Sequence, residues 1–119
     1  MYVPNPDRKI HFTVNIKIHG LGGHSSVPSK TYNPILAANE FILSLTQKVW
    51  FGFESFDNIK LYPIFFEAGN KGNIIPETAD LSFRGECVTE EQRGKVEKII
   101  RRVAESIETS HQVKSEWKE

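Results

Sequence analysis

A single cysteine, Cys87, stands in 119 residues, so no internal disulfide can staple the chain. One thiol and four scattered histidines also fall short of a structural zinc site, and neither an HExxH nor a CxxC motif is present. Neither sign of charge is in surplus, since Lys plus Arg and Asp plus Glu both number 15. Without a positive excess nothing draws the chain to a phosphate backbone, which makes nucleic acid a poor partner. No apolar run approaches the ~20 residues that a membrane span needs. The opening residues, Met1-Tyr2-Val3-Pro4-Asn5-Pro6-Asp7-Arg8, lack the basic-then-apolar order of a secretory signal and are expected to be a leader to a cytoplasmic chain. Beyond them no linker, repeat or low-complexity segment breaks the sequence. Residues 9–119 are expected to form one domain, whose folding removes about two-thirds of its surface from water.

What is present is periodicity. Ile10, Phe12, Val14, Ile16 and Ile18 alternate with His11, Thr13, Asn15, Lys17 and His19, the period of a strand with one buried face. The stretch from Gly20 to Lys30, rich in glycine, predicts a loop. Asn33 then offers an N-cap, and Pro34 a first helical residue whose missing N–H costs nothing there. The apolar stripe of this helix is expected at Ile35, Ala38, Ile42, Leu45 and Val49. A strand over Asn58–Glu67 contains Pro63, which has no donor for a ladder and predicts a sheet edge or a bulge. After a Gly69–Asn73 turn, Thr78–Val88 alternates Ala79, Leu81, Phe83, Gly85 and Cys87 with Asp80, Ser82, Arg84 and Glu86, the second set facing solvent. Thr89 to Gln92 fits a capping box, Val96, Ile99, Ile100, Val103 and Ile107 form one apolar helix face, and Val113 and Trp117 leave room for a last strand. Strand, helix, strand, strand, helix, strand predicts an α+β, ferredoxin-like two-layer sandwich, with a four-stranded antiparallel sheet and both helices on one face.

Few residues carry chemistry on type alone. His24 lies in a Gly-rich loop after a strand, where a rigid scaffold can hold an exposed imidazole to donate to an oxyanion or to shuttle a proton. A surface histidine in a turn is the plainer alternative. His11 and His19 on a polar strand face, and His111 near a helix end, read as solvated and unpaired. Ser25 and Ser26 beside His24 make a poor nucleophile couple, because neighbours in a loop rarely converge and a third group must orient the base. Arg84 and Glu86, two apart on one strand face, read as a surface charge pair, and Asn73 as a turn residue.

Taken together the pieces are more specific. Gly22-Gly23-His24-Ser25-Ser26-Val27-Pro28, then Asn33-Pro34-Ile35, then Gly69 four residues ahead of Asn73-Ile74-Ile75-Pro76-Glu77-Thr78-Ala79-Asp80-Leu81, resemble the lid or dimerisation domain of the di-zinc aminoacylase and carboxypeptidase family. Carboxypeptidase G, succinyl-diaminopimelate desuccinylase, acetylornithine deacetylase and the hippurate and auxin-conjugate amidohydrolases belong to it. The resemblance runs from Lys9 to about Glu116. It implies a parent hydrolase of peptide or N-acyl amino-acid amide bonds, with two divalent metal ions, zinc by family habit, held in a catalytic domain absent from this chain. No cofactor is expected in the chain itself, which alone should be inactive. The resemblance gives His24 the role of oxyanion donor in the neighbouring subunit's active site and Asn73 that of a substrate contact. The family's carboxylate-binding arginine, thirteen residues after that asparagine, falls here on Glu86. Arg84, roughly 6.6 Å earlier on the same strand face, is the candidate replacement.

A homodimer through this domain is expected, because the edge strand carries Ile59, Leu61, Tyr62, Ile64, Phe65 and Phe66, too apolar for a bare edge. Its interface is expected on helix Asn33–Val49 and strand Asn58–Glu67. The competing reading is a non-enzymatic ferredoxin-like module. An RNA-binding version needs aromatics in a K/R-G-F/Y-G/A-F motif, which Leu81-Ser82-Phe83-Arg84-Gly85-Glu86 is not, whereas a dimeric small-ligand module needs no signature.

Overall fold

The alternating run becomes strand β1, Ile10–His19, with Phe12, Val14, Ile16 and Ile18 buried. It belongs to a computed structural model in which residues 9–53 and 58–118 are described; the expected leader at residues 1–8 lies outside them. β1 pairs antiparallel with β5, Thr78–Cys87, along its whole length, Ile10 opposite Cys87 and His19 opposite Thr78. On its other side β6, Lys114–Lys118, pairs antiparallel with Asn15–His19. β3, Lys60–Glu67, flanks β5 and gives the order β3-β5-β1-β6. Helices α1, Pro34–Gly52, and α2, Glu90–His111, pack on each other and on the sheet. The ferredoxin-like sandwich is therefore the observed architecture. Strand pairs β2, Gly23–His24, and β4, Ile74–Ile75, form a small second sheet at one end.

Both helices start where their capping residues stand. Asn33 accepts a hydrogen bond from Ile35 N–H at 3.0 Å, with Pro34 next in line. Thr89 Oγ1 accepts from Gln92 N–H at 3.1 Å, and Gln92 Oε1 accepts from the Thr89 and Val88 amides at 3.2 and 2.8 Å. Val88, expected in the strand, is thus part of the cap. In α1 the buried stripe is Ala37, Ala38, Phe41, Leu45 and Val49, whereas Ile35 and Ile42 are only half-buried. The stripe turns toward Phe41 because the sheet below offers Phe83, whose ring lies 6.3 Å away at 37°. In α2, Val96, Ile100, Val103 and Ile107 are buried, and Ile99 is shifted to the flank facing the end of α1 at Gly52.

Each core side chain of this size stabilises the fold by about 1.5–3 kcal/mol through burial. Gly85 is the one strand position inside the core without a side chain, and a Cβ there would collide with the Phe12 ring. Phe12 fills the space instead, under the Arg93 guanidinium at 5.5 Å, and Arg101 covers Trp117 at 5.3 Å. β3 is an edge strand, as Pro63 predicts, and its register slips between Pro63 and Phe65, a bulge at Ile64. Leu61 is a correction to the apolar edge expected to await a partner: it is buried in this chain's own core, while Tyr62, Ile64, Phe65 and Phe66 stay exposed.

Candidate functional site

The site is assembled by backbone pairing at the end of the sheet where β1 stops. Gly20 N–H donates to the Glu77 carbonyl at 2.8 Å, and Leu21 and Tyr32 exchange bonds at 3.0 and 2.9 Å. The Gly20–Lys30 stretch, expected as plain loop, then forms β2 and a 3-10 turn at Pro28–Lys30. β2 pairs with β4, placing Gly23 opposite Ile75 and His24 opposite Ile74. One residue further, Ser25 N–H donates to the Asn73 carbonyl at 3.0 Å. The GGHSS and NIIP segments, fifty residues apart in the chain, thus meet main chain to main chain. Gly22 is required for this closeness, because a Cβ there would collide with the Ile75 and Pro76 backbone.

His24 in β2 and Asn73 in the turn that leads into β4 are both exposed. The His24 ring is held by its own turn: Nδ1 is 3.1 Å from Ser26 N and 2.8 Å from Ser26 Oγ, and Val27 N–H closes the turn on the His24 carbonyl at 3.1 Å. Ser26, set aside in the sequence as a loop neighbour, therefore does converge on the imidazole. The signal was local, a serine two residues after a histidine in a turn, where short hydroxyl side chains bond back readily. The Asn73 side-chain amide has no partner among the described residues.

Arg84 is not part of this cluster within the chain. It sits opposite Thr13 and Tyr62, six residues along β5 from Thr78, or roughly 20 Å at the rise of a strand. The expected Arg84–Glu86 pair does not form: Glu86 lies 3.9 Å from Lys9 and 3.6 Å from His11, and Arg84 has no ion pair among the described residues. The remaining histidines are also not bare. His19 approaches Glu116 at 3.8 Å, and His111 meets Glu40 across the two helices, because antiparallel neighbours put a carboxylate on the adjoining element.

Cys87 is fully buried, its thiol reaching the Thr89 carbonyl at 3.5 Å. Burial pushes its pKa up, with Glu90 adding to the rise and Arg93 opposing it, so the thiol is protonated and a poor nucleophile. A cleft of about 400 Å³ beside the site is edged by Glu67, Gly69, Asn70, Pro76, Glu77 and Asp80. Its carboxylates do not form a metal centre, for among the described residues no group of three His, Cys, Asp or Glu side chains could hold an ion. No helix among the described residues is long and apolar enough to cross a membrane.

Residues 7–111 match the peptidase dimerisation domain of the M20 group. The chain belongs to that family. The dimerisation domain is 32% identical over 103 residues to N-acetylcysteine deacetylase of Bacillus subtilis, covering 87% of this chain and 27% of the relative. It is 33% identical over 92 residues to IAA-amino acid hydrolase ILR1-like 4 of Arabidopsis thaliana, covering 74% of this chain and 21% of the relative. A crystal structure described as an aminohydrolase of methicillin-resistant Staphylococcus aureus superposes with a TM-score of 0.86 at 22% identity, over 92% of this chain and 28% of that one. The dimerisation domain thus spans about a quarter of the length of these proteins.

Proposed function

We propose that this dimerisation domain is the substrate-capping lid of a hydrolase that cleaves peptide or N-acyl amino-acid amide bonds, and that His24 donates to the oxyanion of the tetrahedral intermediate. The observation that supports the reading is the β2–β4 pairing, which joins the main chain around two exposed residues, His24 and Asn73. Asn73 is the substrate contact in this arrangement. Arg84, free of carboxylate partners among the described residues and far from His24 in its own chain, is the arm offered to a substrate carboxylate from another subunit or domain. The two divalent metal ions that the family resemblance implies have no ligand set among the described residues and would belong to a separate catalytic domain. A ferredoxin-like sensor module is the weaker reading, because the named relatives are a deacetylase and a hydrolase.

The test is His24→Ala in the full-length parent. An oxyanion donor acts in the transition state, so kcat should fall about 10²–10³-fold with KM little changed. A change in KM alone would reduce His24 to a binding role. Mixing His24→Ala subunits with subunits disabled elsewhere should restore part of the activity if the histidine works across a dimer.

Self-association is expected through β3 and α1. Tyr62, Ile64, Phe65 and Phe66 on the strand and Leu36, Leu43, Trp50 and Phe51 on the helix are exposed, an apolar surface that a lone soluble domain rarely shows. A groove of about 310 Å³ joins the two elements between Trp50, Val49 and Tyr62. Phe65→Asp should convert a dimer to a monomer in sedimentation; a dimer that survives it would move the interface elsewhere.

A further inference from the structure

We propose that Ser26 is a positioning residue that holds His24 in the neutral tautomer protonated on Nε2. The inference rests on the reading of His24 as oxyanion donor and decides which atom donates. Nδ1 faces the Ser26 backbone amide at 3.1 Å. A main-chain N–H can only donate, so Nδ1 must offer its lone pair and carries no proton. The single hydrogen of the neutral ring then lies on Nε2. Ser26 Oγ, 2.8 Å from the same Nδ1, turns its hydroxyl hydrogen toward that lone pair and completes the hold. Both donors belong to one residue, in a turn closed by Val27 N–H on the His24 carbonyl at 3.1 Å. The main-chain amide fixes which nitrogen accepts, and the hydroxyl strengthens the hold on it.

The consequence separates two roles that residue type left open. With Nδ1 engaged, the group presented outward is the Nε2–H, a donor ready for a developing negative charge, and no proton need be gained first. The same contact does not make Ser26 a nucleophile. A serine–histidine couple needs a third group to orient the base through its other nitrogen, and among the described residues none meets Nε2. Ser26 acts through the ring and touches no substrate.

Two measurements test this. In the chain labelled with 15N at its four histidines, long-range proton–nitrogen spectra at a pH where the rings are neutral report which nitrogen is protonated, each ring being assigned by a single His→Gln variant. His24 should show an unprotonated Nδ1 and a protonated Nε2. Ser26→Ala, which keeps the main-chain amide and loses the hydroxyl, should shift the ring part of the way toward the mixture of a free imidazole, and Ser26→Thr should restore it. In the full-length parent, Ser26→Ala should lower kcat about 3- to 10-fold at constant KM, the size of one hydrogen bond. Ser26→Thr should recover the rate, and the His24→Ala, Ser26→Ala double variant should be no slower than His24→Ala alone. A proton on Nδ1, or a spectrum that Ser26→Ala leaves unmoved, overturns the proposal. A large loss in His24→Ala with none in Ser26→Ala overturns it while sparing the oxyanion reading. An unaffected kcat in His24→Ala overturns the oxyanion reading, and the spectrum then decides the tautomer by itself.

Discussion

Between sheet and helices, Val14, Ile18, Phe41, Leu45, Leu81 and Phe83 are buried, and no described polar or charged residue is buried with them. At the end of the sheet, His24, Ser25, Ser26 and Asn73 are all exposed and are placed by main-chain hydrogen bonds. The first region is held by shape and area, so any hole in it is felt as lost stability. The second is held by a few directional bonds over glycine, so it can be damaged with little effect on the core. Stability and the proposed function therefore fall to different residues of one small domain.

The largest expected effect that tests this division is Phe83→Ala, which leaves a cavity against Phe41 and should cost about 3–5 kcal/mol in urea denaturation. The kcat of the parent, per folded molecule, should not change; a parallel loss would show that core and site are coupled. Gly22→Ala should do the reverse. Its Cβ pushes on Ile75 and Pro76, costing about 1–3 kcal/mol locally and lowering kcat, because β2 moves off β4. Thr89→Ala removes the cap of α2 at the end of the sheet away from His24, where Cys87 pairs with Ile10, and should cost about 1 kcal/mol in thermal unfolding with kcat intact. The smallest effect is a pH dependence. The Cys87 thiol is raised in the folded state above its ordinary 9.0, so unfolding favours its ionisation and the stability it lends is present below pH 9 and lost as pH climbs beyond. Relative to Cys87→Ala, the unaltered chain should lose stability across that alkaline range; parallel curves would mean the thiol is not buried in solution.

Much of the sandwich was legible because its signals are local. Strict alternation in β1 and β5 needs only the two-residue period of a pleated strand, and the Asn33 and Thr89 caps need only their own first turns. Pro63 announced both the edge and the bulge, since a missing N–H has the same consequence in any fold. The α1 stripe holds at Ala38, Leu45 and Val49 but not at Ile42, because Ile42 and Phe41 are both apolar and only the position of Phe83 beneath the helix selects between them. Ile99 went astray for the same reason, facing α1 instead of the sheet.

In the site, the sequence by itself determined which residues stand out: a histidine after two glycines, an asparagine ahead of Ile-Ile-Pro, and a glycine at 22 that tolerates close backbone approach. Composition likewise excluded a disulfide within the chain, since Cys87 has no second cysteine to pair with. Only the tertiary structure decided that His24 and Asn73 are neighbours, that Arg84 is not among them, and that Glu86 turns to Lys9 and His11 rather than to Arg84. Two-residue strands such as β2 and β4 are too short to show a period, and their pairing comes from the sandwich delivering both chain segments to the same end of the sheet. Side-chain partners across strands follow register, and register is fixed by the sum of core contacts rather than by any residue in it.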